Sequence, residues 1–233
     1  MMTKDQFAEL VPSVEVYYIV EKFVLPRIRK SKSKIKVLEI GVGNGEISNF
    51  LWEKGCEVHA VDFSEKCLAN LKNDILKYKI DLDYEIDKFI LKEDYFDFVI
   101  MFEVLEHLKY PEKILRRIWQ ILKEDGLFIA STPNINWWPF RIYFLFGRCP
   151  EDFHTTDHVQ FWNLKRFRNL FESNGFIILK QCTSLGIPNV LYPFIRKYRK
   201  NNIEISGKYI FIASGLKSSI LGYNQVIVAK KST

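Results

Sequence analysis

The stretch VLEIGVGNGEIS, residues 37–48, constrains this chain more than any other. A short apolar run meets glycines at 41, 43 and 45, and a helix-forming pattern follows at once. Glycine tolerates positive φ and close backbone approach, so the segment reads as strand, tight turn and helix start. With an acid before the turn, Glu39, and another ending the next strand, Asp62, the constellation arises by chance only about 0.003 times in such a chain on ordinary residue frequencies.

Strands and helices alternate from there. The pattern predicts strand KVLEI, a helix over 45–54, strand EVHAV, a helix over 65–78, strand LDYEI and strand FDFVIMF. A helix over 111–122 follows, begun by Pro111 and ended by Asp125-Gly126, then strand LFIAST, a helix over 164–173 stopped at Asn174-Gly175, and strands FIILKQC and YNQVIVAKK. The expected fold is α/β: a doubly wound, Rossmann-like sheet of seven strands, mostly parallel, with helices on both faces and a hairpin-like pair at the end. One domain over 1–233 is expected. It comprises a helical extension (1–34) whose helix stops near Leu25 at Pro26, a cofactor-binding core (35–131), a substrate-side lid insertion (132–163) and the C-terminal part of the sheet (164–233).

Composition narrows the class. With 48% hydrophobic and 27% charged residues the chain is globular, and its net charge of +6 is spread out, with local concentrations only at 30–36 and 196–200. That distribution suits a solvated face better than a nucleic-acid groove. Cys56, Cys67, Cys149 and Cys182 form no CxxC pair, which fits reduced thiols. The N-terminus has no leader pattern and no apolar run reaches the ~20 residues of a membrane span, so a cytoplasmic protein is expected.

The glycine turn speaks about its ligand. A dinucleotide loop, GxGxxG, needs glycine at 46, where Glu46 stands, and no GK[ST] follows as a P-loop requires. Carboxylates at Glu39 and Glu46 repel phosphate, so the ligand should carry hydroxyls and a positive centre instead. S-adenosylmethionine has both: a ribose diol for Asp62, and an ammonium and sulfonium that tolerate acids. The plain alternative is a strand-turn-helix whose glycines serve backbone geometry alone.

At LEIGVGNG, VDFS, FDFVIMFEVLEHL, LKEDGLFIASTPN and DHVQFWNLKRFRNLFESNGF, the chain resembles the class I S-adenosylmethionine-dependent methyltransferases over residues 35–176. The resemblance implies S-adenosylhomocysteine as product. It also implies that Glu39, Gly41, Gly43 and Gly45 bound the methionine and ribose side, that Asp62 takes the ribose hydroxyls and that Phe63 lies against adenine. Asp87, taken as just past strand three, would meet the adenine amino group, with Lys88 contributing backbone. Met101, Phe102 and Glu103 would line the cofactor's inner side.

EVLEHL, 103–108, adds two acids and an imidazole near a strand end, where open α/β sheets place ligands. Some quinone-forming O-methyltransferases that the chain resembles are thought to hold a divalent metal on such residues. Many others carry EhxEHh with the histidine merely packed, and the reading taken is no metal. His107, His154 and His158 are the candidate bases, since methyl transfer needs alignment first and a base only for an acceptor that is hard to ionise. The insertion PNINWWPFRIYFLFGRCP resembles ubiquinone-type, glycan-pathway and MetW-like proteins. The expected activity is O-methylation of a small sugar-related or phenolic acceptor; a lipophilic quinol, or a MetW-like role without methyl transfer, are the alternatives. The 137–146 aromatic run is a lid, a membrane-surface patch, a partner surface or a plain cover. Nucleic acid is not expected, since no [DNS]PP[YFW] or nucleophilic-cysteine motif occurs, and oligomeric state is left open.

Overall fold

The computed structural model describes residues 19–148, 157–185, 220 and 222–232. Strand β1 (Lys36–Ile40) pairs in parallel with β2 (Glu57–Asp62) on one side and β4 (Phe96–Phe102) on the other. Outside them, also parallel, lie β3 (Leu76–Lys79) against β2 and β5 (Leu122–Pro133) against β4. β6 (Phe176–Leu185) and β7 (Gly222–Lys231) complete a seven-stranded sheet in the order β3-β2-β1-β4-β5-β7-β6, with β7 antiparallel to both neighbours. The expected sheet, mostly parallel and finished by an antiparallel pair, is present. Its winding reverses between β1 and β4, so the connections leaving their C-terminal ends diverge there and open a crevice.

Six α-helices are described: α1 (Leu25–Lys30), α2 (Glu46–Glu53), α3 (Glu65–Ala69), α4 (Pro111–Ile121), α5 (Trp138–Leu145) and α6 (Leu164–Ser173). A strand covered on both faces has no polar side, and β4 is accordingly near-continuously apolar. On one face Val37, Phe98, Ile100 and Ile129 pack with Ile47 and Leu51 of α2, Leu68 of α3, and Val20 and Val24. On the other, Leu38, Ile40, Val99 and Phe128 pack with Ile114, Leu115 and Ile118 of α4 and Phe167 and Phe171 of α6. Cys56, Cys67 and Cys182 are buried free thiols, while Cys149 lies outside the described residues.

Three local expectations are corrected. Pro26 does not stop the first helix: Val20–Val24 forms a π-helical turn in which the Leu25 N–H donates to the Val20 carbonyl, and α1 then runs to Lys30. The widened turn absorbs the ring and the missing N–H of Pro26, which sits in the first turn of α1. The helix after β2 ends at Ala69, not 78, and the third strand is Leu76–Lys79 rather than LDYEI. The cause is tertiary: Asn49 of α2 donates to the Asn70 carbonyl at 3.0 Å and accepts the Lys72 N–H at 2.9 Å, fixing the turn. Last, α4 passes directly into β5 at Leu122, so Asp125-Gly126 lies within a strand, beside the register shift between Phe96 and Phe98.

Phe128 is fully buried, stacked on Phe171 at 5.0 Å and tilted against Phe176 at 5.4 Å. Phe128→Ala should cost about 3–5 kcal/mol of stability through the cavity it leaves. Urea unfolding would register this as a lower midpoint at unchanged m-value.

Candidate active site

The site begins where β1 ends. Gly41, Gly43 and Gly45 have φ of +78, +50 and +75°, in the left-handed region. Space is as restrictive as backbone here: a Cβ on Gly41 would stand 2.3 Å from Val104 Cγ2, and one on Gly45 2.5 Å from Leu71 Cδ2. The turn is pinned by the Gly41 N–H donating to the Val61 carbonyl at 2.8 Å and the Gly45 N–H to the Val42 carbonyl at 2.7 Å. It therefore presents bare backbone to the crevice, with Glu46 opening α2 behind it.

Asp62 ends β2 directly across. Its carboxylate accepts the Val42 N–H at 2.9 Å and the Ser64 N–H at 2.8 Å, one on each oxygen. Burial pushes its pKa up, and hydrogen bonds from the Ser64, Val42, Gly43 and Phe63 backbone pull it back. The second lone pairs of its oxygens suit hydroxyl donors. Phe63, next in the chain, is 41% exposed at the rim.

Glu39 lies deeper. It is buried, accepts a short hydrogen bond from the Ser48 hydroxyl, and has its pKa pushed up to about 8 by burial, opposed by Ser48 and reinforced by the Asp62 charge. Without a ligand it is largely protonated at neutral pH; an ammonium brought beside it would favour the charged form.

The strand-three expectation shifts with the strand. Asp87 and Lys88 occupy a 3₁₀ turn, Ile86–Lys88, seven or more residues beyond β3; both are exposed and Lys88 pairs with Glu85. The acid just past β3 is Asp81, whose Oδ1 accepts the Asp83 N–H at 3.1 Å. At the end of β4 the side chain of Met101 is fully buried in the core, while Phe102 is partly buried on the opposite face.

Glu103 follows with φ +53°, unusual for a residue with a Cβ and a form of strain that clusters at functional sites. Ser131 holds it, the hydroxyl donating to Glu103 Oε1 at 2.6 Å. Three residues on, Glu106 is 1% exposed and neither carboxyl oxygen has a hydrogen-bond partner. Burial first, and then the Glu103 charge, push its pKa well above the ordinary value; nearby Thr132 opposes this weakly without closing a hydrogen bond. Burial and the same two acids also push the Tyr223 phenol far up.

Glu106 also anchors the insertion. Its carbonyl accepts the Val159 and Gln160 N–H groups at 2.9 and 3.0 Å. His107 Nδ1 lies 3.1 Å from the Asp157 carbonyl, which can only accept, so Nδ1 carries the proton and Nε2 the basic lone pair. The His107 and His158 rings meet edge-on at 4.7 Å, and ligand atoms of Glu106, His107 and His158 lie within 4.8 Å of one another. His154 lies outside the described residues. Beside this cluster, Glu106, Thr132, Pro133, Ile135, Phe140, Gln160, Phe161 and Trp162 line a small pocket, partly open to solvent. Thr132 and Tyr223 had no local motif to announce them; Asp81 had one, the alternation Leu76, Tyr78, Ile80 that marks β3.

A family model described as "Methyltransferase domain" matches residues 15–181. The chain belongs to this methyltransferase family. The methyltransferase is 34% identical over 194 residues to a ubiquinone biosynthesis O-methyltransferase of Bradyrhizobium diazoefficiens, covering 78% of this chain and 72% of the relative. It is 29% identical over 181 residues to the protein of the same name from Coxiella burnetii, covering 73% and 72%. Its fold is that of a SAM dependent methyltransferase from Archaeoglobus fulgidus, with TM-score 0.61 over 94% of this chain and 95% of that one at 20% identity. Its cofactor is S-adenosylmethionine. The residues fit that group: a tight turn of three left-handed glycines, an acid with lone pairs for a diol, and a buried acid that an ammonium would ionise.

Because Glu39 binds its proton more tightly folded than unfolded, stability of the ligand-free enzyme falls as pH rises from about 4.5 to about 8. Glu39→Gln keeps the Ser48 contact and removes that loss. Its Tm should exceed the wild type by several degrees at about pH 8 and converge on it towards about pH 5. Thermal unfolding across the range checks this, and a difference independent of pH would contradict it.

Proposed function

We propose that this methyltransferase methylates a hydroxyl of a lipophilic phenolic acceptor of the quinol kind. One observation carries the reading: the buried, unpartnered carboxyl of Glu106 faces a pocket whose other walls are largely Ile135, Phe140, Phe161 and Trp162. A neutral carboxyl both donates and accepts, so it suits a phenolic hydroxyl at one end of an apolar slot. A sugar would need a polar partner for each hydroxyl, which this aromatic wall does not offer. The printed names of the two relatives, ubiquinone biosynthesis O-methyltransferases, support the same acceptor class.

S-adenosylmethionine supplies a methyl carbon already activated by its sulfonium. The chain must hold the acceptor oxygen in line, exclude water and take one proton. Glu106 and Thr132 orient the hydroxyl; His107, its Nδ1 tied to the Asp157 carbonyl, receives the proton at Nε2 as the oxygen–carbon bond forms. A second reading rests on the convergence of Glu106, His107 and His158, which suits a divalent cation that would acidify the hydroxyl in place of a base.

Calorimetry should show S-adenosylhomocysteine binding to the wild type and at least about tenfold weaker binding to Asp62→Ala, which loses a charge-assisted acceptor. Glu106→Gln and His107→Asn should keep that binding and lower kcat on a quinol or catechol about a hundredfold or more. Activity abolished by EDTA and restored by a divalent cation selects the second reading. Cofactor binding without transfer to any phenol or quinol would overturn both.

A further inference from the structure

The site has two halves, and one short segment touches both. Residues 104–109 follow the strained Glu103 and close a tight turn in which the His107 N–H donates to the Val104 carbonyl at 3.0 Å. On the cofactor side this segment is clamped at each end. Val104 places its Cγ2 in the space that Gly41 leaves by lacking a Cβ. At the other end the Lys109 N–H donates to Asp83 Oδ1 at 2.9 Å, across 26 positions of sequence. Asp83 belongs to the loop that leaves β3. That loop is stitched to itself by other carboxylates: Asp81 Oδ1 accepts the Asp83 N–H at 3.1 Å, and Glu85 Oε2 accepts the Asp81 N–H at 3.2 Å. The carboxylate of Asp83 instead reaches out of the loop, to the connection after β4. On the acceptor side the same segment carries the insertion, through the Glu106 carbonyl beneath Val159 and Gln160 and through His107 Nδ1 against the Asp157 carbonyl.

We propose that Asp83 is a positioning residue for methyl transfer, coupling cofactor binding to the geometry of the acceptor side through residues 104–109. β3 ends at the crevice where this fold binds its ligands, so a bound cofactor orders the loop that begins at Asp81. An ordered loop holds Lys109, Lys109 fixes the turn, and the turn fixes Glu106 and His107 together with the Val159 and Gln160 amides. Order imposed by one ligand lowers the entropy loss of the next, so the two sites bind cooperatively and reciprocally. A carboxylate suits the task, since a charged acceptor holds a main-chain N–H more strongly than a neutral one. Tyr84, whose hydroxyl lies 2.6 Å from Lys109 Nζ, adds a contact that is largely exposed. The use made of Glu106 and His107 rests on the phenolic-acceptor reading, whereas the coupling is measured with no acceptor present.

The test is amide hydrogen exchange of the full-length enzyme with and without saturating S-adenosylhomocysteine. In the wild type the ligand should slow exchange in residues 157–162 at least about fivefold. Asp83→Ala should still bind the ligand, seen as slowed exchange in residues 41–46, yet leave 157–162 unprotected. Asp83→Asn keeps a side-chain oxygen for the Lys109 N–H and should restore the wild-type pattern. With a soluble catechol, kcat should fall about tenfold in Asp83→Ala and recover in Asp83→Asn. Wild type in which the ligand does not slow 157–162 overturns the proposal, and so does Asp83→Ala that retains the slowing. Asp83→Ala that no longer binds the ligand overturns it too, by placing Asp83 in the cofactor site itself, as does Asp83→Asn that behaves like Asp83→Ala. The exchange pattern decides the coupling even for an enzyme that methylates no phenol, so a failure of the acceptor class is read separately.

Discussion

The Asp62 carboxylate is the hinge on which the cofactor side is assembled. By accepting one N–H from the turn after β1 and another from the turn after β2, it ties the two loops together. Each acceptor bond to a charged group is worth more than a neutral one and would cost more if left unmade in a buried place. The three left-handed glycines are the steric counterpart of the same constraint. They let the turn fold tightly enough for Val42 to reach the acid, and Val104 and Leu71 fill the space where side chains would otherwise be.

On the other side of the crevice the organising force is desolvation. Glu103 and Glu106 stand close in a region that also holds Tyr223, and the carboxyl oxygens of Glu106, the hydroxyl of Thr132 and the indole N–H of Trp162 are buried there without hydrogen-bond partners. Such a concentration of unmet polar groups is costly in a folded protein. It is intelligible where a ligand's polar atoms complete the set, and it lies at the strand ends where this fold binds its substrates.

Much of this was legible because it is local. The β1 turn, the strand β4 and the helix α4 each announce themselves within a dozen residues through glycine spacing, continuous apolar character or 3.6-residue periodicity. What sequence reasoning missed depends on distant partners. The turn after α3 is set by Asn49, more than twenty residues earlier, so the third strand and its following acid moved from Asp87 to Asp81. Pro26 failed as a stop signal because a π-turn took up its geometry. Tyr223 reaches the site from the last strand, and no pattern around it foretells that.

One residue serves two structures at once. Glu106 lines the small pocket beside Thr132 and Trp162, while its main-chain carbonyl receives the Val159 and Gln160 N–H groups. Pocket depth and roof position are thus referenced to a single Cα. A substitution that shifts the segment after Asp157 therefore also disturbs the backbone that holds the Glu106 carboxyl. Reshaping the pocket wall without moving that carboxyl is accordingly easier at Ile135 and Phe140 than at Val159 and Gln160, which are tied to Glu106 by hydrogen bonds.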